Sequence, residues 1–235
     1  MEDMLAALMQ SAQGVWQWLG GSTSAVIAKG AQSMDMPQLL ALAAAMGWAS
    51  GLRLYAVVFI TGLAGWLGWI QLPPGLSVLH HPAMLMASGF MLFVEFFADK
   101  IPGVDSLWDL MQSVIRIPAG AALAAGALGA DGATAATIAA LLGGTLAATS
   151  QAAKTTTRAA INTSPEPFSN LLASLFEDGL VVGAVWLAVT HPFVFGVALL
   201  IVVVLMAVVT VTLFKFLRAT WRRLSIFLSG SPKAV

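Results

Sequence analysis

Between Pro37 and Leu217 the chain consists of long apolar runs separated by short polar breaks, and none of the runs alternates with a period of two. Continuous Ala-, Leu- and Val-rich stretches of this length predict membrane-spanning helices rather than barrel strands. About six spans are expected. The first begins near Pro37, a suitable first-turn proline, and can extend to Ile70, long enough to be tilted, bent or broken; its weak points are Gly47 and Gly51 beside Arg53. Trp66 and Trp69 suit the far interface. The second span runs from Pro82 to about Ala98. The third opens with Asp105 as a helix cap, but Pro118 pushes the residue before it toward extended geometry. It is therefore read as proline-broken: either one kinked helix or a helix 106–116 followed by a half-helix ending at Gly129. The fourth covers about Ala133 to Asn162. The fifth follows Ser164-Pro165-Glu166-Pro167 and ends near His191-Pro192. The sixth, Phe193–Leu217, carries no charge before Lys215 and reads as a peripheral, lipid-facing helix.

This pattern divides the chain into an interfacial N-terminal segment (1–36, with Trp16 and Trp18), a helix bundle (37–217) and a basic amphipathic tail (218–235). Three spans followed by three also invite a 3+3 inverted repeat. The internal match is weak: Ala49-Ser50-x-x-Arg53 loosely resembles Thr149-Ser150-x-x-x-Lys154.

Composition agrees with the pattern. Of 235 residues 59% are hydrophobic and 9% charged, against about 25% charged in soluble domains. The fold class is all-α, a polytopic membrane bundle whose first partner is the lipid bilayer. With no cysteine, disulfides, thiolate metal sites and thiol catalysis are excluded. Zero formal net charge points to no nucleic-acid partner. The start Met1-Glu2-Asp3 lacks the basic region of a signal peptide.

The basic residues are unevenly placed. The connections 71–82, 130–132 and 190–192 contain no Lys or Arg, whereas the opposite set holds Lys100, Lys154, Arg158, Lys215, Arg218, Arg222 and Arg223. The positive-inside rule puts the second set in the cytoplasm. Six crossings would then leave both termini there, in a bacterial inner membrane.

Twelve ionisable side chains lie within or against the spans: Arg53, Lys100, Arg116, Lys154 and Arg158, with Glu95, Asp99, Asp105, Asp109, Glu166, Glu177 and Asp178. Each charge at the bilayer centre costs roughly 2.5–3.5 kcal/mol on insertion scales, so such residues point to a polar site between helices. Helical spacing sorts them into stripes. Ser150, Lys154, Arg158 and Asn162 form one edge, Asn170, Ser174 and Glu177 a second, Glu95 and Asp99 a third, and Asp105, Asp109, Gln112 and Arg116 a fourth. Lipid cannot satisfy such edges, so each is expected to face inward. Lys100, Asp105, Asp109 and Glu166 are placed toward the cytoplasmic rim. Arg53, Glu95, Lys154, Arg158 and Glu177 are the deep, expensive members. The Ala- and Gly-rich stretches 119–129 and 133–153 predict close packing of the third and fourth spans.

Candidate substrate- or ion-binding residues are therefore Arg53, Glu95, Asp99, Lys154, Arg158, Asn162, Glu177 and Asp178. Lys100, Asp105, Asp109, Arg116, Ser150, Asn170 and Ser174 support them. Arg53, Lys154 and Arg158 would partner anions or carboxylates, and Glu95, Asp99 and Glu177 would carry protons or cations. No motif asks for a cofactor. No phosphate loop, nucleophilic triad or intramembrane-protease signature is present, and His80, His81 and His191 fall at the outer ends.

Three stretches carry a family resemblance: Gly51-Leu-Arg-Leu-Tyr55, Phe93 to Asp109 (FVEFFADKIPGVDSLWD) and Lys154 to Asn170 (KTTTRAAINTSPEPFSN). Together they resemble an uncharacterised family of bacterial integral membrane proteins catalogued as a domain of unknown function, over roughly residues 38–190. The resemblance implies a multi-span inner-membrane protein and carries no mechanism. Transport of an ion or small solute is the leading expectation. A lipid or polyprenyl-phosphate flippase, with Lys154 and Arg158 holding a phosphate headgroup, is the second. A non-catalytic subunit or assembly factor is the third, and an intramembrane enzyme comes last. A homo-oligomer stays open.

Overall fold

The computed structural model describes residues 34–99, 101, 104–129, 132–163 and 167–228. They form an all-helical bundle: α1 (Met36–Trp66), a short 3₁₀ helix (Pro74–His80), α2 (Pro82–Ala98), α3 (Val104–Leu128), α4 (Ala133–Ile161), α5 (Pro167–Thr190) and α6 (Pro192–Leu228). The expected interfacial segment, Lys100, Glu166 and the last residues of the tail lie outside the described residues.

α1 is long and apolar enough to span, but it does not run straight. Asp35 starts it with a capping box to Gln38 and a proline in the first turn, which satisfies orphan N–H groups. At Arg53 the backbone leaves the helix (φ −147°, ψ 80°) and the chain reverses. Thr61 Oγ1 donates to Met46 Sδ at 3.4 Å. Fifteen residues of continuous helix would put those two roughly 22 Å apart. The two ends of α1 also meet the same part of α5. Gln38 Nε2 donates to Val189 O at 3.1 Å, and Val189 and Thr190 share a cavity with Ala64, Trp69 and Ile70. α1 is thus a re-entrant hairpin with arms 36–52 and 54–66 and Arg53 at its tip. Its core positions Leu42, Ala45, Met46, Ala49 and Val57 are fully buried.

This corrects the expected first span. The weak point falls beside Gly51, as its sequence suggests, but the result is a turn-back rather than a bend. The remaining crossings come from α3, α4, α5 and α6, together with the 3₁₀ helix and α2, which are bent by 68° at His81. The connection 67–81, Gly129, Gly132 and the α5–α6 junction gather at one end of the bundle, the loop end, where Gly75 packs against Gly126. Asp105, Asn162 and Asn170 meet at the other, basic end. Met34 and Leu228 consequently lie at opposite ends. The parity expected from six crossings does not hold for the described chain.

The tight core is where the small residues predicted it. A Cβ on Gly47 would lie 2.5 Å from Gly143 Cα, and one on Gly51 would collide with Ala147 O and Ser150 Oγ. Only glycine lets the first arm approach α4 this closely. Ala121, Ala124 and Gly120 of α3 line the other side of Gly143 and Gly144. Packing along this face accompanies α3 on both sides of Pro118, and the helix continues through the proline. The third span is therefore one unbroken element. A 3+3 repeat loses its footing too, because the hairpin α1 would have to match the continuous α4. The two similar segments instead pack side by side: Ser150 Oγ donates to Trp48 O at 2.6 Å.

α6 is largely exposed, with Leu200, Ile201, Val204 and Leu205 facing outward, as a peripheral lipid-facing helix should. It continues without a break from Pro192 to Leu228, so residues 218–228 prolong the span helix rather than starting a separate one.

Candidate functional site

The hairpin tip meets polar edges from α2, α3, α4 and α5. The first arm ends in carbonyls that its own helix cannot satisfy. Lys154 Nζ donates to Leu52 O at 3.0 Å, and Ser150 serves Trp48 O. A cation at this point also complements the negative end of the arm's dipole.

Arg53 is wholly buried and reaches three carboxylates. Its Nη2 lies 2.9 Å from Asp99 Oδ2, and its Nε lies 3.0 Å from Asp178 Oδ1 and 3.6 Å from Glu177 Oε2. Nη2 also donates to Ser174 Oγ at 2.5 Å. Lys154 joins Asp109 Oδ1 (3.1 Å), Glu177 Oε2 (3.2 Å) and Asp99 Oδ2 (3.6 Å). Arg158 pairs with Glu177 at 3.2 Å and donates to Asn170 O at 3.1 Å. Deeper toward the bundle centre, Arg116 binds Glu95, Asp109 Oδ1 (2.9 Å) and Gln151 Oε1 (2.9 Å). At the basic end Asn162 Nδ2 donates to Asp105 Oδ2 (2.9 Å), and Asn170 Nδ2 donates to Asn162 Oδ1 (2.8 Å).

These contacts form one column. It starts at Glu95 and Arg116, passes Asp109, Lys154, Asp99 and Arg53, and leaves through Glu177, Arg158 and Asn170 toward Asn162. The first arm of the hairpin, 17 residues at 1.5 Å each, puts the tip roughly 25 Å from the loop end. Above the tip the interior is apolar, with Leu42, Met46 and Val57 fully buried. The ion pairs among the described residues are thus confined to the half of the bundle toward the basic end, where Asn162 is half-buried and Thr163 exposed.

Every predicted binding residue is in this column or touches it, and so are the described supporting residues except Ser150, whose hydroxyl bonds backbone carbonyls of the first arm and of α4. Two placements change. Asp105 and Asp109 were expected at a wet rim, yet Asp105 is fully buried and Asp109 is 1% exposed. Nearness to a helix end was the wrong criterion, because their face of α3 is turned onto α4. Lys154 and Arg158 are also buried and committed to carboxylates, so they present no surface patch for a lipid phosphate. Gln151 escaped the sequence reading although it bridges Arg116 and, through Nε2, Asp109 O at 3.1 Å. Its position three residues before Lys154, on the same helical edge, was the available signal.

The column is paired in charge but not saturated in hydrogen bonds. Arg53 Nη1, Glu95 Oε2, Asp99 Oδ1 and Asp109 Oδ2 have no hydrogen-bond partner among the described residues. Asp99 Oδ2 is close to Arg53 yet misaligned for a hydrogen bond. In a low-dielectric interior such groups are costly, and the carboxylate oxygens retain capacity to accept. Four cations (Arg53, Arg116, Lys154, Arg158) face five carboxylates (Glu95, Asp99, Asp109, Glu177, Asp178) across these pairs. With the buried Asp105, the described residues of the column carry more carboxylates than cations.

A family model described as a domain of unknown function (DUF4126) matches residues 40–212. The chain belongs to this family. The DUF4126 match covers the hairpin from residue 40 onward, the charged column and α6 as far as residue 212. No curated protein and no solved structure matches the chain.

Proposed function

We propose that this DUF4126 protein is a transport protein for an ion or small solute. The observation that carries the reading is the re-entrant hairpin, which brings Arg53 and two helix ends into a buried column that holds, among the described residues, more carboxylates than cations. Non-helical backbone at membrane depth persists where it is buried in protein or lines a pathway, and broken helices present dipole ends that suit ions. The excess of carboxylates suits a proton or a monovalent cation as the coupling species. By the positive-inside rule the basic end is cytoplasmic, in a bacterial inner membrane. The column is then a half-path open toward the cytoplasm and closed above the tip by the apolar arms. Movement of the hairpin would open the other half.

The sealing of Arg53 favours one competing reading, a non-catalytic subunit whose ion pairs only fasten helices. Reconstitution separates the two. Wild-type protein in proteoliposomes should conduct protons or an alkali cation, and Arg53→Met and Glu177→Gln should abolish flux while eluting as folded protein. Full flux in both variants overturns the site. A wild type with no flux of any such ion supports the subunit.

A further inference from the structure

We propose that Asp178 and the groove it lines bind a lipophilic organic monocation. This rests on the transport reading and names its substrate class. The groove lies between the second arm of α1, α2 and α5, has a volume of about 340 Å³, and is lined by Phe93, Phe96 and Ile60 among others. A second apolar cavity of about 390 Å³ shares Ile60 and Val182 with it and ends at Trp69 and Trp186. They adjoin at these two residues as neighbouring parts of one apolar trough, each in the size range of small-molecule sites.

Asp178 is the one ionisable residue lining these cavities. Its side chain is 31% exposed, whereas those of Glu95, Asp99, Asp109 and Glu177 are no more than 11% exposed. Among the described residues its ion-pair partner is Arg53, shared with Asp99 and Glu177. Asp178 is thus the partly exposed carboxylate of the trough. A monocation there meets the partly exposed carboxylate of Asp178. Its apolar body fills the trough, and the faces of Phe93 and Phe96 are the aromatic surface that favours a cation over a neutral or anionic ligand. An occupant would also compete with Arg53 for Asp178, which links binding to the hairpin tip.

The test uses the full chain in detergent with tetraphenylphosphonium, and tetraphenylborate as its anionic counterpart of matching shape. Calorimetry should show saturable binding of the phosphonium at least tenfold tighter than the borate. Asp178→Asn should weaken it at least tenfold, Asp178→Glu should preserve it, and Phe93→Ala should weaken it about threefold or more. Equal affinity for the two probes, or unchanged affinity in Asp178→Asn, overturns the site and leaves simple partitioning. If Asp178→Asn does not fold, the probe pair and the exposed Phe93 variant decide alone. Phosphonium binding without flux in proteoliposomes upholds the site and defeats the transport reading; proton flux without phosphonium binding does the reverse.

Discussion

Replacing Arg53 with methionine removes the charge and keeps most of the side-chain length. The structure sets the size of the effect. Asp99 would still face Lys154 at 3.6 Å and Arg158 at 3.8 Å, so its loss is partial. Asp178 would lose its ion-pair partner, but it is about a third exposed, and screening reduces that penalty. Ser174 Oγ would lose its donor. Breaking a fully buried ion pair costs about 3–5 kcal/mol, and the two discounts place Arg53→Met near the lower end, about 3 kcal/mol. Adding Asp178→Asn removes the uncompensated carboxylate and should restore about 1 kcal/mol, a coupling typical of contacting residues. Equilibrium unfolding in mixed micelles, followed by tryptophan fluorescence, reads both values. A loss below about 1 kcal/mol in the single variant, or strict additivity in the double, would refute the reasoning. Either result would mean that water, rather than Asp99 and Asp178, already solvates the guanidinium.

Other expectations follow from the packing. Gly47→Leu should prevent the first arm from seating on α4, because its Cβ already meets backbone at 2.5 Å; such overpacking costs typically 1–3 kcal/mol, seen as a lower melting temperature or aggregation on size exclusion. Pro118→Ala should be neutral or stabilising, since α3 already runs through this position and alanine restores an N–H to the ladder; a large loss of stability would show that a kink is needed. Lys154→Met should cost about 3–5 kcal/mol in the same unfolding assay, because it strips Leu52 O of its donor and leaves Asp109 and Glu177 underpaired.

Much of this arrangement can be traced in the sequence, and the parts that cannot have physical reasons. The stripes Ser150–Lys154–Arg158–Asn162 and Asn170–Ser174–Glu177 face inward because helical period and lipid exclusion leave no other choice. The small residues of α3 and α4 pack as their size requires. The reversal at Arg53 was hidden because both arms keep helical periodicity, and a run of 31 residues is also long enough for one tilted span. Nothing local distinguishes a bend from a turn-back; the partners of the tip, on α2, α4 and α5, decide it. Asp105 and Asp109 were misplaced for a related reason. Burial depends on what a helix face meets, and α3 meets α4 along its whole polar edge. Of the two readings left open at Pro118, the single helix is the one that forms, because a proline's local cost of roughly 3 kcal/mol is modest beside the packing of an entire helix face.

The central claim is that α1 turns back at Arg53. The chain contains no cysteine, so Leu40→Cys and Trp66→Cys give two unique labelling positions, both about half exposed and each 13 residues from the tip. Nitroxide labels at these sites in reconstituted protein report the distance by pulsed electron paramagnetic resonance. A hairpin of packed arms predicts a separation below roughly 25 Å, from helix spacings near 8–10 Å plus label length. A distance near 39 Å, which is 26 residues of continuous helix, would contradict the hairpin and with it the site built at its tip.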